Sequence, residues 1–165
     1  MEKEQAFDIA GRPTRVHHVA VVVRDMDAAL ATYRDQLRLP LDVLLPIESD
    51  GVRIAFLPVG ESSIELVEPT DESTGVARFL ASRGEGFHHV CLEVDDVAAE
   101  LDRLASNGIE LIDEAPRRGA EGPVAFIHPR SCHGVLVELI EAAGGPAWKS
   151  LGYDSDQTEE LRPPA

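Results

Sequence analysis

The sequence is short of cysteine, of positive charge and of long apolar runs, and each shortage narrows what the chain can be. Two cysteines in 165 residues, Cys91 and Cys132, cannot make a disulfide framework. Cys91 sits in a strand-like run and reads as a small core residue. A reducing, cytoplasmic setting is the expectation. No apolar run approaches the ~20 residues of a membrane span. The charged start Met1-Glu2-Lys3-Glu4-Gln5 is not followed by the apolar stretch of a signal peptide, so neither membrane insertion nor secretion is expected. Lys+Arg number 15 against 30 Asp+Glu, a formal net charge of -15, and the only lysines are Lys3 and Lys149. So acidic a chain is a poor match for nucleic acid or an anionic bilayer. An anionic substrate would need local arginines in this acidic field.

What is present is a repeat. Val16-His17-His18-Val19-Ala20-Val21-Val22-Val23 precedes Arg24-Asp25-Met26-Asp27-Ala28-Ala29-Leu30, and Phe87-His88-His89-Val90-Cys91-Leu92-Glu93-Val94 precedes Asp95-Asp96-Val97-Ala98-Ala99-Glu100-Leu101. Each copy later reaches an apolar run holding one acid, Ile64-Glu65-Leu66-Val67 and Val135-Leu136-Val137-Glu138-Leu139. Periodicity and turn residues predict strand 16–23, helix 26–37 capped by Asp25, and strands 41–47, 52–59 and 62–68. A linking helix at 74–83 follows, then strand 87–94, helix 97–107 and strands 109–113, 123–128 and 134–141. The fold class is therefore α+β: two βαβββ modules, 15–70 and 86–142, forming one concave mixed sheet in a single domain. Residues 1–14 read as a lead-in and 143–165 as a loosely held tail.

Strand alternation selects among the tandem histidines. His17, Val19, Val21 and Val23 share a face suited to the helix, as do His88, Val90, Leu92 and Val94. His18 and His89 then face the concave side. Glu65 and Glu138 are lone acids in apolar strands, and a buried carboxylate needs a cation, a hydrogen-bond network or a proton. Two imidazoles and two carboxylates from four strands suit one divalent metal with open positions for solvent. Glu68 and Glu141, three residues further along, read as rim or surface acids. The cluster His128-Pro129-Arg130-Ser131-Cys132-His133 lacks a second group to complete a structural zinc site and reads as a hairpin or a substrate-lining loop.

These words together resemble the vicinal oxygen chelate superfamily, which includes glyoxalase I, and within it the methylmalonyl-CoA epimerases. The resemblance runs from about Arg15 to Glu141. It is carried by His17-His18-Val19-Ala20-Val21, the run from Gly51 to Gly60, Ile64-Glu65-Leu66-Val67-Glu68-Pro69, Gly84-Glu85-Gly86-Phe87-His88-His89-Val90, Leu111 to Arg117, Phe126-Ile127-His128-Pro129-Arg130-Ser131 and His133-Gly134-Val135-Leu136-Val137-Glu138-Leu139. It implies metal ligands His18, Glu65, His89 and Glu138, and a divalent ion, Co2+ first, with Mn2+, Zn2+ and Ni2+ also suited. It implies an acyl-CoA substrate and interconversion of (2R)- and (2S)-methylmalonyl-CoA, or a close 2-alkylmalonyl-CoA, through an enolate. It also implies a homodimer. Glu138 falls on the position that is both ligand and acid/base. Some members carry a second catalytic Glu where this chain has Ile54, so Glu48 in the preceding loop, or Glu65, is the candidate for that role. Arg117, Arg118 and Arg130 are the candidates for the CoA phosphates. The same scaffold also serves glyoxalase I-like enzymes and metal-free small-molecule binders. A ring-cleaving dioxygenase would use two histidines and one carboxylate on iron, so a fourth protein ligand argues against that chemistry.

Overall fold

The computed structural model describes residues 11–141. The lead-in up to residue 10 and the tail from 142 lie outside the described residues. In chain order the strands are β1 (Arg15–Val22), β2 (Val43–Ile47), β3 (Val52–Val59), β4 (Ser62–Pro69), β5 (Gly86–Glu93), β6 (Arg117–Arg118), β7 (Pro123–Ile127) and β8 (Leu136–Ile140). The helices are α1 (Met26–Leu30), α2 (Gly75–Arg83) and α3 (Val97–Ser106). All eight strands form one mixed sheet in the order β2-β3-β4-β1-β5-β8-β7-β6. The order reads as two equal halves joined back to back. β1 runs parallel to β4, β5 runs parallel to β8, and β1 pairs antiparallel with β5 at the centre.

Each half packs its own helix against the convex face. Met26 and Leu30 of α1 meet Leu44, Ala55, Leu57 and Leu66, while Val97 and Leu101 of α3 meet Ala125, Ile127 and Leu139. The helices start alike. Asp25 accepts from the Ala28 N–H and Asp96 from the Ala99 N–H, both at 2.9 Å. Glu68 and Glu141, read from sequence as rim or surface acids, belong to the same device. Glu68 accepts from the Met26 N–H at 3.0 Å and Glu141 from the Val97 N–H at 3.3 Å, each placing a carboxylate at a helix N-terminus.

Three expected elements differ. The predicted helix 26–37 is an α-helix only over Met26–Leu30 and widens to a π-helix over Ala31–Gln36. The wider turn takes Leu37 off the apolar stripe and leaves it exposed. The predicted strand 109–113 is reduced to a single bridge between Leu111 and Ile127. Its continuation is prevented by Asp113, whose carboxylate takes the Phe126 N–H at 2.8 Å in place of a ladder carbonyl. The edge of the sheet is instead the two-residue β6, after Pro116. The predicted strand 134–141 begins at Leu136, because His133 and Gly134 both take positive φ in the turn before it.

The matched carboxylate caps give the first testable expectation. Glu68→Ala and Glu141→Ala should each destabilise the fold by about 1 kcal/mol. The two effects should add, since the sites lie on separate halves. Urea midpoints of the two single variants and the double variant measure this.

Candidate metal centre and active site

The concave face carries the site, and the strand register builds it twice. In one row across the sheet, Phe56 pairs with Glu65, Glu65 with Ala20 and Ala20 with His89. In the other, Phe126 pairs with Glu138, Glu138 with Cys91 and Cys91 with His18. Each row thus sets the carboxylate of one half beside the imidazole of the other. The residue between them, Ala20 or Cys91, is small and fully buried, which lets the flanking donors close together. Phe56 meets the His18 ring edge-on at 5.4 Å and Phe126 meets His89 at 5.2 Å, so an aromatic ring backs each imidazole.

His18, Glu65, His89 and Glu138 are the four residues that alternation and the repeat selected, and all four are buried and brought together. The His18 and His89 Nε2 atoms are 3.2 Å apart. The Glu138 Oε2 lies 3.2 Å from His18 Nε2 and 3.0 Å from His89 Nε2, and the Glu65 Oε2 lies 3.3 and 3.7 Å from the same atoms. Donors bound ~2.0–2.2 Å from one ion lie roughly 3.0–3.5 Å from their neighbours, so the cage fits a single small divalent cation. Its charge balance asks for one. Burial, then the charges of Glu138 and Glu121, push the Glu65 carboxyl well above its ordinary range. Burial would raise Glu138 too, but hydrogen bonds from His18 and His89 overcome it and hold Glu138 well below that range. Burial also lowers His18, disfavouring imidazolium. Two carboxylates among neutral imidazoles are the donor set of a divalent metal. A second cluster, His17, His18 and Cys91, shares His18. Burial and the Glu138 charge drive the Cys91 thiol far up, so it offers no thiolate.

His17 and His88 are not where alternation placed them. The β1–β5 register slips between Val16 and His18 and again between Ala20 and Val21, opposite His89 and Phe87. Each slip leaves one histidine unpaired in a bulge, and the bulge turns it off the helix face. His17 Nδ1 lies 2.9 Å from His18 Nδ1, and His88 Nδ1 lies 2.8 Å from His89 Nδ1. Both outer rings are held near pKa 4, first by burial and next by the neighbouring histidine.

The cage opens into a cavity of about 690 Å3 with apolar walls that include Ile47, Val52, Ile54, Val67, Phe79 and Leu136. Of the arginines chosen from sequence, Arg117 lines this cavity, with its guanidinium 5.2 Å from the Phe126 ring. Arg118 is exposed on the same short strand. Arg130 is off the lining and pairs with Glu110 at 2.8 Å. Glu48 is exposed on the turn before β3 and does not line the cavity, whereas Ile54 does. Sequence reasoning missed three charged lining residues, one of them Asp50 on the turn before β3. Arg78 projects from α2, whose exposed cation carried no pattern signal. Glu121 sits on the tight turn between β6 and β7, where an isolated acid between two glycines looks like an ordinary loop residue.

With this geometry in hand, comparison with known proteins is decisive for the family. Residues 17–128 match the model of the glyoxalase/bleomycin resistance protein/dioxygenase superfamily. The chain belongs to that superfamily. Its eight-stranded curled sheet is the vicinal oxygen chelate fold expected from the repeat. A mitochondrial methylmalonyl-CoA epimerase of Mus musculus is 38% identical over 78% of this chain and 73% of its own. An ethylmalonyl-CoA/methylmalonyl-CoA epimerase of Cereibacter sphaeroides is 38% identical over 76% of this chain and 96% of its own. A methylmalonyl-CoA epimerase solved with methylmalonyl-CoA and NH4+ superposes with a TM-score of 0.77 at 34% identity, over 82% of this chain and 99% of that one.

The buried carboxyls set a pH dependence for the metal-free protein. Burial, then Asp42, raises the Glu121 carboxyl from 4.5 to about 7, and burial raises Glu65 well above its ordinary range. A raised carboxyl holds its proton more tightly folded than unfolded, so its contribution is full below pH 4.5 and fades as pH climbs through about 7. The lowered histidines act in the opposite sense, but only below pH 6.5. Between pH 6.5 and 8.5 the chelator-treated protein should therefore lose roughly a few degrees of Tm. Glu121→Gln should flatten that slope, as read by calorimetry.

Proposed function

We propose that this protein is a metal-dependent epimerase that interconverts (2R)- and (2S)-methylmalonyl-CoA or a close 2-alkylmalonyl-CoA. The observation that carries the reading is the four-donor cage at the base of an apolar cavity, in a chain whose relatives carry that activity by name. His18, Glu65, His89 and Glu138 would hold the ion, with Co2+ the first choice among Mn2+, Zn2+ and Ni2+ for a set of two nitrogens and two oxygens. When bound, the ion supplies Lewis-acid stabilisation of the negative charge that develops on the thioester oxygen.

The chain's own groups do the rest. Glu138 lines the cavity at the cage and is the carboxylate that would take the α-proton as the C–H electron pair moves into the enolate. The proton returns to the opposite face of the same carbon. Glu48 is exposed and off the lining, so the returning carboxyl is sought among Asp50 and Glu65, which both line the cavity. The apolar walls around Ile54, Val67 and Phe79 exclude water and accept the short alkyl branch. Arg117 and Arg78 line the same cavity as cations for an anionic acyl-CoA.

Incubation of the Co2+-loaded protein with (2R)-methylmalonyl-CoA in D2O should exchange the α-proton and produce the 2S epimer. Exchange no faster than a Co2+ blank would overturn the reading. Glu138→Gln should lower the exchange rate by about 10²–10⁴. The glutathione hemithioacetal of methylglyoxal, tested alongside, should not turn over.

A further inference from the structure

The two outer histidines look equivalent from the sequence but have different company. For His18 Nε2 to face a cation with its lone pair, the ring must carry its proton on Nδ1. That N–H points at His17 Nδ1, 2.9 Å away, which must then be a lone pair. His17 therefore carries its own proton on Nε2, and that nitrogen lies 3.5 Å from Glu121 Oε2. A carboxylate therefore stands behind His17, in ion-pair contact with that nitrogen. In the second half, His89 must likewise donate from Nδ1 to His88 Nδ1 at 2.8 Å. The His88 ring, however, packs edge-on against Phe79 at 4.9 Å, and no carboxylate pairs with it among the described residues.

Glu121 is held for this task. The Gly119 N–H donates to the Gly122 carbonyl at 2.9 Å, closing the turn that carries Glu121. Gly119 is itself pressed onto Val124, where an added Cβ would lie 2.6 Å from Cγ1. The turn therefore has little room to move. Its acid is mostly buried and sits among Asp42, Arg15, Glu138 and Glu93.

We propose that Glu121 is a positioning residue that favours the Nδ1–H tautomer of His18 through His17, biasing the first half's imidazole toward a cation in advance, whereas the second half's imidazole has no such carboxylate behind it. The inference rests on the metal-centre reading for its purpose but not for its test. Partners of this kind raise metal affinity by orienting the ligand ring and fixing its proton.

Long-range 1H–15N spectra of the metal-free protein at pH 8 report ring tautomers directly. In the parent protein the His18 Nδ1–H form competes with an Nε2–H aimed at Glu138, 3.2 Å away, and should be well populated. Glu121→Ala and His17→Phe should each lower that population while leaving the His89 signals in place, which a general loss of structure would not do. Glu121→Gln, whose side-chain carbonyl still accepts a hydrogen bond, should stay close to the parent. Co2+ titration of the same proteins should show about 10–100-fold weaker binding for Glu121→Ala and much less loss for Glu121→Gln. Unchanged His18 tautomer and unchanged Co2+ affinity in Glu121→Ala would overturn the proposal. A parent protein that takes up no Co2+ would instead overturn the proposed function, and the spectra would then decide the relay alone.

Discussion

Two carboxylates buried beside two neutral imidazoles constrain everything else in this protein. Such a group of donors is costly in a dry interior unless a cation completes it. The fold pays this cost at one point only, where four central strands meet. The convex face, by contrast, is a plain apolar core under two helices. The sheet can therefore be stable as a scaffold while its concave side stays poised for charge. Small residues at Ala20 and Cys91 and aromatic backing from Phe56 and Phe126 then set how close the donors come.

Duplication explains how so short a chain brings four matched donors together. Each half contributes one histidine from its first strand and one glutamate from its last, and the central β1–β5 pairing brings the sets together. Because the rows interleave, each carboxylate shares a row with the other half's imidazole and still lies within 3.7 Å of both. The halves cannot drift apart without separating the four donors.

Most of this was legible in the sequence because it is written in periodicity. Strand parity picked His18 and His89 over their neighbours, and lone acids in apolar runs marked Glu65 and Glu138. What was not legible depends on departures from regular backbone. His17 and His88 were assigned to the helix face because alternation assumes an unbroken ladder, and the bulges break it at those two residues. Glu68 and Glu141 looked like surface acids because their partners are backbone N–H groups of distant helices. The strand expected at 109–113 failed for a side-chain reason, the Asp113 carboxylate taking a ladder hydrogen bond. Arg78 and Glu121 reach the cavity from a helix and a turn, where pattern gives no sense of facing.

Epimerisation and the fold make opposite demands on symmetry. A pseudo-twofold cage is well suited to holding an ion, since like halves present like donors. Moving a proton off one face of a carbon and onto the other requires those faces to differ in what they meet. In this chain the difference enters outside the ligands, in residues that the repeat does not copy. Glu121 stands behind His17 while Phe79 stands behind His88. Glu138 is held ionised while Glu65 is pushed toward its protonated form, although the two occupy equivalent strands. The four donors can therefore stay matched while the surroundings diverge, and in the proposed reaction those surroundings are where the two faces of the carbon would be told apart.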